Sequence, residues 1–144
     1  YGRYDNDIAR MERVTPLFIN KIGAGEPITV FGEKKVLDFT YVDDCVDGIH
    51  RGIELLAAGG DQAHTINLAF GQGHTLVELA EFIADELGVA VNMHVEPSQV
   101  DEVTHYVANI GMARAVLGYN PKTPLREGIA KAVDWTRRYT EENT

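Results

Sequence analysis

Residues 65–88 read TINLAFGQGHTLVELAEFIADELG and contain the clearest local signals in the chain. Thr65–Ala69 has the β-branched content of a short strand. Thr75 and Glu78 have the spacing of a capping box at the start of a helix, and Gly88 supplies its C-terminal stop. The apolar side chains between them recur at helical spacing and predict a buried stripe: Leu76, Leu79, Ala80, Ile83 and Leu87. A strand followed directly by a helix indicates a mixed α/β structure.

The upstream half continues this alternation of helix and strand. A helix is predicted over Val14–Ile22, followed by strands at Ile28–Phe31 and Phe39–Val42. Asp43 or Asp44 is then expected to cap a second helix. Its apolar residues fall on one face: Val46, Ile49, Ile53 and Leu56.

The downstream half completes the predicted fold. We expect a strand over Val89–Val95, a short helix over Ile110–Leu117 and a last helix that starts at Thr123-Pro124. The whole pattern predicts one domain over residues 1–144, of α/β class with α+β character, built from short strands and about five helices. It is too small for a barrel of eight βα units.

Composition limits the partners of the chain. A net charge of −9 argues against a nucleic-acid partner and against an anionic membrane surface. No apolar run approaches the roughly 20 residues of a membrane span, and the polar start does not resemble a signal peptide. The single cysteine, Cys45, predicts a reducing, cytoplasmic location. The first residue is Tyr1 rather than Met, which suggests that the chain begins inside a longer protein.

Motifs for common chemistries are weak or absent. Gly71-Gln72-Gly73 lies between a predicted strand and a predicted helix, but Leu76 occupies the position of the third small residue of a dinucleotide fingerprint. A tight turn is the favoured interpretation. None of the six tyrosines has Lys four residues later, the spacing that would place both side chains on one helix face. The five histidines show no metal-ligand spacing.

Several motifs together resemble the extended short-chain dehydrogenase/reductase family, specifically its NAD-dependent epimerases and dehydratases of the UDP-glucose 4-epimerase type. The resemblance runs through essentially the whole chain. It is carried by YGR at 1–3, VTPLFI at 14–19, GEPITVFG at 25–32, DFTYVDD at 38–44, TINLA at 65–69 and LGYNPKTPLREG at 117–128.

This resemblance implies a particular place in the family architecture. Members have an N-terminal Rossmann domain that binds NAD and carries a Tyr-x-x-x-Lys pair, whereas the present sequence matches the C-terminal lobe that holds the nucleotide sugar. The expectation is therefore no cofactor in this chain, NAD in the full-length family, and a nucleotide sugar, in particular a UDP-sugar, as ligand.

The resemblance also implies binding residues. Phe31, with Val30 before it, matches the neighbourhood of the uracil ring, a task that suits a flat aromatic surface. Val14, Thr15 and Phe18 match the segment on the other side of the base. Phe18 fits an ordinary core position of an amphipathic helix equally well.

The ribose and diphosphate positions show one match and two departures. Glu102 aligns with an acidic residue near the ribose, but Leu37 and Gln99 stand where the family has arginines for the diphosphate. Neither can replace the bidentate contacts of a guanidinium. The substitute cations in the sequence are Arg3, Lys34 and Lys35.

Three functional hypotheses follow from the resemblance. The first is the nucleotide-sugar-binding portion of an NAD-dependent epimerase, inactive by itself. The second is a stand-alone binding or interaction module without a Rossmann half. The third is part of a nucleotide-sugar 4,6-dehydratase or decarboxylase. A lobe that lacks its Rossmann domain should expose an apolar face, so we also expect self-association.

Overall fold

The computed structural model describes residues 1–5, 13–59, 63–98 and 102–142. It confirms the predicted fold class, a small mixed α/β structure. The described helices are α1 (Val14–Gly23), α2 (Val42–Ala57), α3 (Leu76–Leu87), α4 (Gly111–Leu117) and α5 (Leu125–Glu142). The described strands are β1 (Ile28–Phe31), β2 (Val36–Asp38), β3 (Gly73–Thr75), β4 (Met93–Glu96) and β5 (His105–Tyr106).

The strands form two small sheets. β1 pairs in parallel with β4, with Ile28 beside Met93 and Phe31 beside Glu96. In the second sheet β2 lies in the middle, antiparallel to β3 and parallel to β5. The predicted strand over Val89–Val95 was placed too early, because the register with β1 starts the observed strand at Met93.

The core lies between α1, β1, α3 and α5. The predicted stripe of α3 is confirmed, since Leu79, Ala80 and Ile83 are fully buried. Ile129 from α5 is also fully buried in this cluster. Burial of each large aliphatic side chain contributes about 1.5–3 kcal/mol, so the α1–α3–α5 packing accounts for much of the stability.

The capping box of α3 is confirmed. The Glu78 amide donates to Thr75 Oγ1 over 3.1 Å, and the Thr75 amide donates to Glu78 Oε2 over 2.7 Å. Gly88 ends the helix with φ of 71°, a left-handed conformation that favours glycine. Because these bonds join residues close in sequence, the boundaries of α3 follow from local chemistry.

The strand predicted at Thr65–Ala69 is wrong. No strand of the described chain pairs with this segment, which runs as irregular structure. A side-chain hydrogen bond holds this segment, since Asn67 Nδ2 donates to the Asn109 carbonyl over 3.2 Å. Its β-branched composition fits a strand, but composition alone supplies no hydrogen-bonding neighbour.

The strand predicted at Phe39–Val42 is also wrong, because the strand ends at Asp38 and α2 begins at Val42. Between Asp38 and Val42 the backbone is held by hydrogen bonds to Tyr1. Its amino group donates to the Thr40 carbonyl, and the Val42 amide donates to the Tyr1 carbonyl over 2.9 Å. Phe39 and Tyr41 are buried as expected of apolar residues, but in a connection rather than a ladder.

The predicted cap of α2 is a fourth correction. The N-cap residue is Tyr41, which makes no side-chain cap hydrogen bond. Asp44 is buried and accepts from the Lys122 and Thr123 amides at 2.9 and 3.0 Å. Asp43 accepts from Arg3 at 2.6 Å. Both carboxylates have partners outside the helix, so neither is available for its first amides.

The apolar face predicted on α2 exists but points outward. Val46, Ile49, Ile53 and Leu56 remain 56%, 51%, 60% and 66% exposed. Within the residues that the model describes, no helix combines the length and the apolar character that crossing a membrane requires.

Candidate substrate-binding site

Four of the predicted binding residues lie together between α1, β1 and β2. Phe18 and Val30 are buried in the main core, and Val14 and Leu37 pack against the same cluster while partly exposed. Thr15, beside Val14, is also buried. Phe18, Val30 and Thr15 thus serve the core, and of the predicted base-binding residues in α1 only Val14 keeps part of its surface exposed.

Phe31 ends β1 and is an aromatic residue with 37% of its surface accessible. The next residue, Gly32, has φ of 82°, and a Cβ there would meet the Ser98 side chain. The Lys35 amide donates to the Gly32 carbonyl over 3.0 Å and closes a tight turn. Gly32 therefore directs the chain from Phe31 round to Lys35.

The polar part of the region is an ion pair between Lys35 Nζ and Glu102 Oε1. The two side chains are only 13% and 28% exposed. Lys35 directly precedes β2 and Glu102 lies shortly before β5, so the parallel pairing of these strands brings the two residues together. A lysine in such a partly desolvated position needs a counterion, and Glu102 supplies it.

Other predicted residues do not join this group. Arg3 forms an ion pair with Asp43 and lines a groove beside α5, with Tyr4 and Trp135. Gln99 lies outside the described residues. Leu37 packs against the core. Lys35 is consequently the cation that the structure brings beside Glu102.

The glycine turn of the weak dinucleotide fingerprint does not fit a pyrophosphate. A Cβ on Gly73 would meet the Val36 and Val107 side chains, so this glycine allows close packing of strands. Two of the amides at the start of α3, those of Thr75 and Glu78, already bond to the Glu78 and Thr75 side chains and are not available to a phosphate. A carboxylate at this helix start repels an anion. The described residues thus offer NAD no fingerprint site.

Sequence reasoning missed the role of Asp38. Its carboxylate accepts from the backbone amides of Phe70, Gly71 and Ala108 at distances of 3.1, 2.9 and 3.2 Å. It thereby holds two loops against β2, close to Leu37. The sequence signal for this role was the position of the aspartate between Leu37 and Phe39. A carboxylate flanked by apolar residues needs hydrogen-bond donors when it becomes buried.

Three tyrosines, Tyr1, Tyr41 and Tyr119, have pKa values shifted away from the range that proton transfer needs. Burial raises the pKa of Tyr119 to about 12 and also raises the pKa of Tyr1 and of Tyr41. A tyrosine that acts as a base needs the opposite shift, usually from a nearby lysine. The described residues also contain no cluster of three or more His, Cys, Asp or Glu that could hold a metal ion.

Comparison with known proteins identifies sugar-nucleotide enzymes as similar chains. Residues 1–69 match the model of the NAD dependent epimerase/dehydratase family. UDP-glucuronic acid decarboxylase 6 of Arabidopsis thaliana is 34% identical over 118 residues, which are 81% of this chain and 33% of that protein. The UDP-glucose 4-epimerase of Thermotoga maritima, solved with UDP-glucose, superposes with a TM-score of 0.82 at 24% identity, over 97% of this chain and 44% of that one.

A second solved structure, the UDP-glucuronic acid 4-epimerase of Bacillus cereus, gives a TM-score of 0.83 at 22% identity, over 96% of this chain and 43% of that one. The chain thus spans about a quarter to a third of the curated relatives and less than half of the solved epimerases. The motifs, the family match over residues 1–69 and the superposition agree: the chain is similar to the NAD-dependent epimerase/dehydratase family and has the fold of the C-terminal lobe of the solved sugar-nucleotide epimerases.

Proposed function

We propose that this chain binds a UDP-sugar as the substrate-binding part of an NAD-dependent sugar epimerase and does not catalyse turnover by itself. The observation that carries the proposal is the Lys35–Glu102 ion pair, half-buried in the region of the sequence where the resemblance to sugar-nucleotide enzymes implied binding residues. The solved epimerase with UDP-glucose has the same fold in this region.

The proposed arrangement assigns one chemical part of the ligand to each feature. The exposed ring of Phe31 and the partly exposed Val14 receive the uracil base, with the buried Thr15 and Phe18 supporting Val14 from within α1. Glu102 accepts from a ribose hydroxyl. Lys35 then gives up its bond to Glu102 and turns to the diphosphate, where its charge replaces part of what arginines would supply.

Calorimetric titration of UDP-glucose into the chain and its variants tests this assignment. Lys35→Gln removes one charge-assisted contact worth about 1.5–3 kcal/mol, so the affinity should fall roughly 10- to 100-fold. Lys34→Gln is the matched control, since Lys34 is exposed in the same turn. Equal affinities of the wild type and Lys35→Gln would refute the role of Lys35.

The expectation that the isolated chain is inactive rests on two features of its sequence. No tyrosine of the 144 residues is followed four positions later by lysine, and the glycine turn does not fit a pyrophosphate. We expect no interconversion of UDP-glucose and UDP-galactose when the pure chain is incubated with NAD. Measurable turnover would reject this part, and binding of no nucleotide sugar would favour a stand-alone interaction module.

A second candidate reaction is the decarboxylation of UDP-glucuronic acid. The observation that favours it is that the first curated relatives are named UDP-glucuronic acid decarboxylases, at 29–34% identity. A site suited to that substrate must also receive a sugar carboxylate. An affinity for UDP-glucuronic acid at least ten-fold above that for UDP-glucose would favour the decarboxylase, and the reverse order would favour the epimerase or a dehydratase.

The remaining partners follow from charge and exposure. With a net charge of −9 the chain should bind neither nucleic acid nor anionic vesicles, and its single cysteine suits the cytoplasm. The exposed apolar face of α2 supports self-association of the chain.

A further inference from the structure

The three-stranded sheet contains a very short ladder between β2 and β5. β5 is two residues long, His105–Tyr106, and pairs with Val36 and Leu37 of β2. Just before this pairing the Val36 amide donates to the Thr104 carbonyl over 2.9 Å. Because so short a ladder has few backbone hydrogen bonds to fix its register, side chains at its ends can decide that register.

A side-chain contact lies at each end of this ladder. At its start Lys35, directly before β2, pairs with Glu102, shortly before β5. At its end Asp38 is the last residue of β2, and its Oδ2 accepts from the amide of Ala108, shortly after β5, over 3.2 Å. The segment from Glu102 to Ala108 is therefore fastened to β2 on both sides of β5.

Asp38 also binds the segment on the other side of β2. Its carboxylate accepts from the amides of Phe70 and Gly71 at 3.1 and 2.9 Å, in the loop that leads into β3. Hydrogen bonds from N–H groups to a carboxylate are charge-assisted and roughly twice as strong as those between neutral groups. One side chain of the central strand thus holds both neighbouring segments.

We propose that Asp38 is a positioning residue for the nucleotide-sugar site and acts by keeping β5, and with it Glu102, in register with Lys35. The inference rests on the proposed function, which assigns Glu102 to the ribose and Lys35 to the diphosphate. A slip of one residue would move the β5 segment by about 3.3 Å and turn its side chains to the other face of the sheet. Glu102 would then no longer lie beside Lys35.

Calorimetric titration of UDP-glucose measures the effect of Asp38 on binding. Asp38→Asn keeps the shape of the side chain but loses its charge and one acceptor oxygen, so the affinity should fall roughly ten-fold, a coupling found within one hydrogen-bond network. Asp44→Asn is the matched control, since Asp44 also accepts from two distant backbone amides but those amides lie outside the three-stranded sheet. It should lower stability and leave the affinity unchanged.

A double-mutant cycle separates positioning from a general loss of structure. In the Glu102→Ala background the β5 segment carries no side chain that is assigned to the ligand. Adding Asp38→Asn to this background should therefore change the affinity by less than about two-fold. A substitution that merely loosened the fold would lower the affinity by the same factor in both backgrounds, and equal factors would overturn the proposal.

Hydrogen exchange of the Val36 amide reports the register without any ligand, because this amide bonds to the Thr104 carbonyl of the facing segment. The amide of Ile83, a fully buried residue of α3, is the internal reference. Relative to Ile83, exchange at Val36 should be about ten-fold faster in Asp38→Asn than in the wild type, since the short ladder then opens locally. It should be unchanged in Asp44→Asn.

Failure of this inference and failure of the proposed function give different results. If the wild type binds no UDP-glucose, the proposed function is wrong and the positioning role of Asp38 falls with it. If the wild type binds and Asp38→Asn binds equally well, only the positioning role is wrong. Should Asp38→Asn not fold, Asp38→Glu takes its place: it keeps the carboxylate but moves it outward by one methylene, which should lower the affinity in the same direction.

Discussion

At the scale of single residues, two carboxylates fix loops through backbone amides that are distant in sequence. Asp38 gathers three backbone amides, and Asp44 accepts from two at the start of the last helical segment. Neither touches the residues proposed to bind the ligand. Both act by giving buried amides a partner that no strand or helix provides.

Asp44 gives the first prediction at this scale. Asp44→Asn keeps one acceptor oxygen but replaces the other by an amide that cannot accept from a backbone N–H. The buried Lys122–Thr123 turn then loses a hydrogen bond, so unfolding in urea should show a loss of about 1–3 kcal/mol. Asp43→Asn should change stability by less than about 1 kcal/mol, since the Arg3–Asp43 pair is half exposed. Equal effects of the two variants would contradict this role of Asp44.

The comparison of Asp44 with Glu78 explains what sequence can predict for a residue. The partner of Glu78 is three positions away, so the capping box could be predicted from spacing alone. The partners of Asp44 lie 78 and 79 positions away, and a helix start gave the same residue a plausible local role. Long-range acceptors such as Asp38 and Asp44 depend on the folded topology.

At the scale of elements, the start of α3 depends on one titratable group. The hydrogen bond from the Thr75 amide, more than any other contact, holds the pKa of Glu78 below its ordinary value of 4.5, and the nearby His74 acts in the same direction. The folded pKa lies below the unfolded one, so the stabilising contribution is complete above pH 4.5 and is lost as the pH falls through the folded pKa.

The corresponding prediction concerns the fall of the unfolding free energy at acid pH. Glu78→Gln should flatten the fall in unfolding free energy below pH 4.5 relative to the wild type, and Thr75→Ala should cost about 1 kcal/mol at pH 7. Glu81→Gln, exposed on the same helix, is the control and should retain the wild-type profile. Chemical denaturation at a series of pH values measures all three. If the unfolding free energy of Glu78→Gln falls with pH as steeply as that of the wild type, Glu78 does not contribute to stability through the capping box.

Elements were predictable where their reasons are local. α1, α3 and β1 were placed within about one residue because their periodicity, caps and glycine stops are adjacent in sequence. The strand predicted at Thr65–Ala69 was wrong because a strand needs a hydrogen-bonded neighbouring strand, and the described chain supplies none for this segment. The strand predicted at Phe39–Val42 was wrong because the amino group of Tyr1, 39 positions before Thr40, binds the Thr40 carbonyl.

At the scale of the whole molecule, the residues proposed to bind a ligand and the exposed apolar residues of α2 lie on different elements. The partly buried Lys35–Glu102 pair lies just before β2 and β5, and Val14 and Phe18 lie on α1. The exposed apolar residues Val46, Ile49, Ile53 and Leu56 lie on α2. The family resemblance implied Glu102 and the residues of α1, but Lys35 stood among three alternative cations until the β2–β5 pairing set it beside Glu102.

This separation leads to a prediction for the intact chain. A ligand that binds only the folded state at about 100 times its dissociation constant adds about 2.7 kcal/mol, which for a domain of this length raises the melting temperature by roughly 5–10 °C. UDP-glucose should produce this shift and NAD should not, because the described glycine turn packs against Val36 and α3 is already capped. Thermal scans with each ligand, with Lys35→Gln as control, measure the difference. A shift with NAD alone would place a dinucleotide site in this chain and contradict the assignment of its single ligand as a nucleotide sugar.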